Sequence, residues 1–212
     1  MKIDQSVKSG PAEFCWSDIE RLNQWFAKTR EESGSKLELQ GSLKRGLQKG
    51  QIVEWGMPHG QNTRSVLLSF IRACPDFVLW VYGDSSLEVY PPAWAAQGID
   101  LSKIYFTCCE RPIQTLKPIF LESGFSLIVL DSPKKLTQGE LAFACSSIRK
   151  NKQSLFIVRD FFLNPNKGNP LARFRVNGFM MKTPPKRGVS VLQLKAVRGN
   201  SQPLFLKEEE FR

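Results

Sequence analysis

Apolar residues along the chain fall into short runs of strand length separated by segments of helical period. The runs are Gln51–Trp55, Phe77–Tyr82, Ile104–Cys108, Phe125–Asp131 and Leu155–Arg159. Each is nearly continuous rather than alternating, as expected of strands covered on both faces. Helical segments fall between them, at Val66–Ala73, Pro92–Gly98, Ile113–Glu122 and Gly139–Asn151. Strands alternating with helices predict an α/β fold, with a mostly parallel sheet flanked by helices. After Leu155–Arg159 the pattern changes. Phe174–Met181, Val189–Val197 and Pro203–Lys207 are strand-like and are separated by Pro184–Pro185 and Gly199–Asn200. They predict an antiparallel C-terminal extension at one edge of the sheet. Upstream, Ser17–Glu32 reads as a helix opened by a Ser17/Glu20 capping box, with an apolar stripe of Ile19, Leu22, Trp25 and Phe26. Gly34 is a natural stop, and Ser33–Gly50 reads as a Gly-containing linker. The division is therefore 1–42, N-terminal helix and linker, and 43–212, the core. The helix either caps the domain's own sheet or docks on a neighbouring subunit.

Composition narrows the function classes. At 212 residues and 42% hydrophobic content the chain builds one real core. No apolar run is long enough to span a membrane, and the N-terminus lacks the apolar region of a signal peptide. Five cysteines, without zinc spacing and with Cys108 and Cys109 adjacent, suggest reduced thiols and a cytoplasmic setting. His59 is the single histidine, which argues against a His-based metal centre or a Ser–His–Asp or Cys–His nucleophile. No metal or cofactor is expected. The net charge of +10 is unevenly placed: residues 1–148 carry sixteen basic and sixteen acidic side chains, whereas 149–206 carry twelve basic ones and a single acid, Asp160. Such an excess points to a polyanion partner, or else to a solubilising surface.

Ile52–Ser65, IVEWGMPHGQNTRS, occupies the setting of a Walker A phosphate loop, strand to Gly-containing turn to helix. Against G-x-x-x-x-G-K-[ST], Gly56 and Thr63 match the first glycine and the hydroxyl, but Gln61 replaces the second glycine and Asn62 the lysine. Without that glycine the backbone does not readily curl around a phosphate, and without the lysine the β/γ charge goes unmet. Asp131, ending an apolar strand, is placed either to hold Mg²⁺ through water or simply to bond within its own turn.

The order of these pieces resembles the RecA core over roughly Leu43 to Lys195. GLQKGQIVEWGMPHGQNT looks like the stretch entering the Walker A loop, LWVYGDSSLEVYPPAWAAQGIDLSKIYF like the second strand and the helix after it, and ESGFSLIVLDS like the Walker B strand. The family's catalytic glutamate falls on Ser86, with Glu88 only nearby, and its γ-phosphate-sensing glutamine near Arg159–Asp160. Two bacterial families share such a core without a working P-loop, ImuA and SulA. The chain is more similar to ImuA, through its length, Pro91–Ser102 and the late basic strands ending in Pro203–Leu206. That resemblance implies a non-catalytic accessory protein of the DNA-damage (SOS) response that supports error-prone translesion synthesis. Its partners would be RecA or a RecA-like subunit, the ImuB-like Y-family polymerase subunit, and single-stranded DNA. The alternatives are a SulA-like inhibitor of a tubulin-like division protein and a divergent RecA-like ATPase using Asp131.

In RecA the loops after the fourth and fifth strands face DNA. Their equivalents here are Asp131–Glu140, with Lys134 and Lys135, and Asp160–Asn177, with Phe161, Phe162, Lys167, Arg173 and Arg175. Aromatics and bases in one flexible loop suit single-stranded DNA. Alternatively Phe161 and Phe162 continue the core strand. Strand alternation places Arg173 and Arg175 on one face, and Lys186 and Arg187 complete the expected DNA-binding set. Gln202–Leu206 reads as a final strand, with a weaker likeness to a sliding-clamp peptide.

Overall fold

The computed structural model describes residues 49–58, 64–72, 74–83, 90–172, 174–182, 190–197 and 204–207. The N-terminal helix with Ile19, Leu22, Trp25 and Phe26 lies outside them, as do His59, Gln61, Asn62, Thr63, Ser86, Glu88, Arg173, Lys186, Arg187, Gln202 and Pro203.

The described strands are β1 (Ile52–Gly56), β2 (Val78–Tyr82), β3 (Ile104–Cys108), β4 (Leu127–Asp131), β5 (Ser154–Arg159), β6 (Phe174–Lys182), β7 (Ser190–Ala196) and β8 (Leu204–Lys207). The helices are α1 (Arg64–Arg72), α2 (Pro91–Ala95), α3 (Pro112–Thr115), α4 (Lys117–Leu121) and α5 (Gln138–Lys150). One sheet holds all eight strands in the order β3-β2-β4-β5-β1-β6-β7-β8. The six from β3 to β6 are parallel. β7 and β8 are antiparallel to their neighbours. The expected antiparallel extension is present, but it begins with β7, because Phe174–Lys182 pairs parallel to β1.

Strands and helices sort by burial. One face of the sheet presents Val53, Trp55, Trp80, Val129, Phe156, Val158 and Val176 to Leu67, Leu68, Phe70 and Ile71 of α1. The other presents Ile52, Leu79, Ile128, Leu130, Leu155 and Ile157 to Ile113 of α3, Phe120 of α4 and Leu141, Ala144, Cys145 and Ile148 of α5. The single helix expected over Ile113–Glu122 is split into α3 and α4. Pro118 has no N–H to donate back and its ring crowds the preceding turn. Thr137 and Glu140 open α5 with a capping box.

The connection from β5 to β6 decides what lies near the end of β1. Both strands flank β1 and run parallel to it. Residues 160–172 therefore return along one face of the sheet, across β1. No helix forms in the described part of this crossover; it holds only an isolated bridge between Asn164 and Lys167. Its buried backbone groups still need partners, and side chains of the sheet supply them. Asn177 accepts from Leu163 N at 2.7 Å and donates to Leu163 O at 2.8 Å. Arg175 donates to Asn164 O at 2.8 Å and Lys167 O at 2.6 Å. Glu54 accepts from Asn169 N at 2.5 Å.

Candidate functional site

In an open parallel sheet, ligands bind beyond the carboxyl ends of the strands. Here that end carries Gly56 of β1, Asp131 of β4 and Arg159 of β5, with the start of α1 beside them. Asp131 is nearly buried and is already paired. Arg64, the first residue of α1, reaches it with Nε at 3.1 and 3.0 Å from the two carboxylate oxygens and Nη2 at 2.8 Å from Oδ1. Arg64 Nη2 also donates to Ser132 Oγ at 3.0 Å, and that hydroxyl donates to Asp131 Oδ1 at 3.1 Å. Ser132 itself sits in the left-handed region, φ 49°, a conformation that non-glycine residues adopt at a cost. The carboxylate at the Walker B position thus has an internal cation, a forked guanidinium whose geometry matches it.

A second charge set lies one strand across. Glu54 is fully buried on β1. Its Oε1 accepts from Arg159 Nε at 2.8 Å and its Oε2 faces Arg175 Nε at 3.4 Å. Gly168, at φ 129°, passes so close that a Cβ there would lie 2.6 Å from Glu54 Oε2 and overlap Arg175 Nη2. Gly56 is enclosed as well. An added Cβ would overlap Asn177 Oδ1 and lie 2.9 Å from both Leu163 N and Phe161 O. The glycine that matched the first Walker position is therefore required by the crossover.

These contacts correct part of the expected DNA surface. Arg175 is 5% exposed, and its guanidinium is taken up by Glu54 and two carbonyls; the polar face of β6 on which alternation placed it is covered by the crossover. Arg159 is likewise held by Glu54. The segment expected to be a flexible loop is pinned at Leu163, Asn164, Lys167 and Asn169. Phe161 and Phe162 do not continue the strand, since β5 ends at Arg159. The basic excess is also divided. Arg149, Lys150 and Lys152 are exposed at the opposite end of the sheet, where α5 runs into β5.

Of the described residues in the expected DNA-binding set, Lys134, Lys135 and Lys167 are exposed. Lys134 stands 3.9 Å from Glu110. Lys167 Nζ lies 3.8 Å from the centre of the Phe161 ring, and Phe162 stacks on Phe179 with centroids 4.5 Å apart. Among the described residues no group of three or more His, Cys, Asp or Glu side chains converges to hold a metal, and no helix is long and apolar enough to cross a membrane. Sequence reasoning missed Arg64, Glu54, Asn169 and Asn177. Only Glu54 left a local trace, as the single acid inside an apolar strand.

No protein-family model and no curated protein matches this chain. Among solved structures, the RadB recombinase is similar, with a TM-score of 0.57 at 15% identity, covering 78% of this chain and 91% of that one. The likeness establishes the architecture as a RecA-like α/β fold.

Proposed function

We propose that this chain is a non-catalytic RecA-like accessory protein of the DNA-damage response. In this reading it supports error-prone translesion synthesis by binding single-stranded DNA together with RecA or an ImuB-like polymerase subunit. The observation that carries the non-catalytic part is the Arg64–Asp131 pair. A magnesium ion approaching Asp131 would have to displace a guanidinium already bonded to both oxygens. Gln61 and Asn62 remove the phosphate glycine and lysine from the same loop, and the tight packing around Gly56 gives that glycine a reason unrelated to nucleotide. The DNA part draws on the RecA-like fold, the exposed lysines at the carboxyl end of the sheet and the ImuA-like sequence blocks.

Titration calorimetry with Mg-ATP tests the first part. No saturable binding is expected below millimolar concentration, since the lost charge-assisted bonds are worth roughly 1.5–3 kcal/mol each. Micromolar affinity would reverse the reading and return Asp131 to a metal role. The docking part rests on the stripe Ile19, Leu22, Trp25 and Phe26, two of whose members are aromatics of the kind that anchor interfaces. A Trp25→Ala/Phe26→Ala variant is expected to lose association with RecA while melting within a few degrees of the parent. A loss of several kcal/mol of stability instead, as core truncations give, assigns the stripe to the domain's own core.

A further inference from the structure

β3 is an edge strand without the usual protection. Among the described residues it pairs with β2 alone, at one end of the sheet. Edges are ordinarily blunted by charge, proline or a bulge, which discourages pairing with another chain. From Ile104 to Cys109, IYFTCC, no residue is charged and none is proline. The opposite edge, β8, ends on Lys207.

The free backbone groups of β3 can be assigned. Cys109 N donates to Tyr82 O at 2.9 Å, so Cys109 turns its N–H toward β2. Direction alternates along a strand, and Ile104, Phe106 and Cys108 therefore turn their N–H and C=O away from β2. An apolar flank lies beside them. Tyr105, 52% exposed, meets Phe77, 47% exposed, edge to face at 5.8 Å, and Phe125 at 5.5 Å. Charges of both signs stand at each end, Asp100 and Lys103 before the strand and Glu110 and Arg111 after it. The ion pairs of Lys103 with Asp100 and of Glu110 with Lys134 are loose, each 3.9 Å, and Lys103 Nζ also donates to Pro75 O.

We infer that β3 is a self-pairing edge, at which a second copy of this chain adds its own β3 antiparallel and continues the sheet across a twofold axis. The inference is independent of the DNA reading. A twofold axis perpendicular to the sheet sets one residue opposite itself. With Phe106 on the axis, Ile104 pairs with Cys108 of the second copy, so that the outward backbone groups of all three residues find partners. Tyr105 then lies opposite Thr107 of the second copy, an aromatic against a β-branched side chain. Lys103 comes within one position of Glu110 of the second copy, and Asp100 within one position of Arg111, at both ends of the pairing. This charge arrangement is what commits the edge to a second copy. The strand is short, five residues, and such a contact gives micromolar rather than nanomolar affinity.

The test is sedimentation velocity of the whole chain in reducing buffer over a concentration series. The parent is expected to pass from monomer to dimer and to stop there. Tyr105→Lys, at an exposed position, is expected to weaken the dimer about tenfold by setting like charges on one edge. Lys103→Glu and Glu110→Lys should each weaken it by a similar factor. An equimolar mixture of these two single variants should dimerise like the parent, because each then meets its opposite charge at both ends. That recovery also shows that both variants are folded. A parent that stays monomeric up to about 100 μM overturns the inference. A dimer that none of the three substitutions weakens overturns it by placing the contact elsewhere. Weakened single variants whose mixture does not recover overturn the antiparallel pairing. Assemblies that keep growing beyond two copies indicate a head-to-tail contact and overturn it as well.

Discussion

Glu54→Ala is expected to lower the unfolding free energy by about 3–5 kcal/mol, the range for removing one partner of a buried ion pair. The loss comes from what is left behind. Arg175, at 3% side-chain exposure, and Arg159, at 11%, would both remain in the interior without their carboxylate. Asn169 N–H would lose its acceptor as well. Urea titration monitored by tryptophan fluorescence measures the change; a loss under about 1 kcal/mol would mean that water reaches the arginines and that the set is not sealed. A companion variant sharpens the result. Glu54→Leu combined with Arg175→Met, which replaces charges by apolar groups, is expected to recover part of the loss. The recovery is incomplete because Asn164 and Lys167 carbonyls then lack the Arg175 donor.

Gly56→Ala is expected to cost about 1–3 kcal/mol or more, as overpacking does. The atoms in the way are backbone groups at Phe161 and Leu163 and the Asn177 side chain that bonds them, so little can swing aside. The measurement separates two meanings of this glycine. A glycine kept only for the approach of a phosphate would tolerate a methyl in nucleotide-free protein, with stability unchanged. A glycine kept for the crossover destabilises the protein in buffer alone. Thermal melts of the purified variant without nucleotide decide between them.

The fold was largely legible because its strands are written as apolar runs. Ile104–Cys108 was delimited to the residue, and the others shifted by two residues or fewer at their ends. The β6 pairing was less legible: the change from continuous to alternating pattern at Phe174 marks the covering of the strand's faces, and says little about which neighbour it meets. The break between α3 and α4 was readable in Pro118. The site was harder. Arg64 and Asp131 are 67 residues apart in sequence, and nothing local in α1 announces that its first side chain turns back to β4. Arg175 illustrates the reverse error. Alternation correctly put it on the polar side of its strand, but that side is roofed by a segment with no periodic pattern of its own. The roof was foreshadowed by Glu54, an acid that an apolar strand does not tolerate unless buried cations meet it.

The central position of β1 has a consequence for the order in which the chain assembles. Its partners are β5 and β6, and Ile52 pairs with Leu155, a hundred residues later. At synthesis rates of about 5–20 residues per second, β1 waits roughly 5–20 s on the ribosome before either neighbour exists. A nascent chain that stops short of Ser154 leaves its most buried strand without a partner on either side, while β6, β7 and β8 pair locally once made. Such long-range closure slows folding. It makes the β5 segment the step that commits the sheet, and it gives an early-terminated product an apolar strand with which to aggregate.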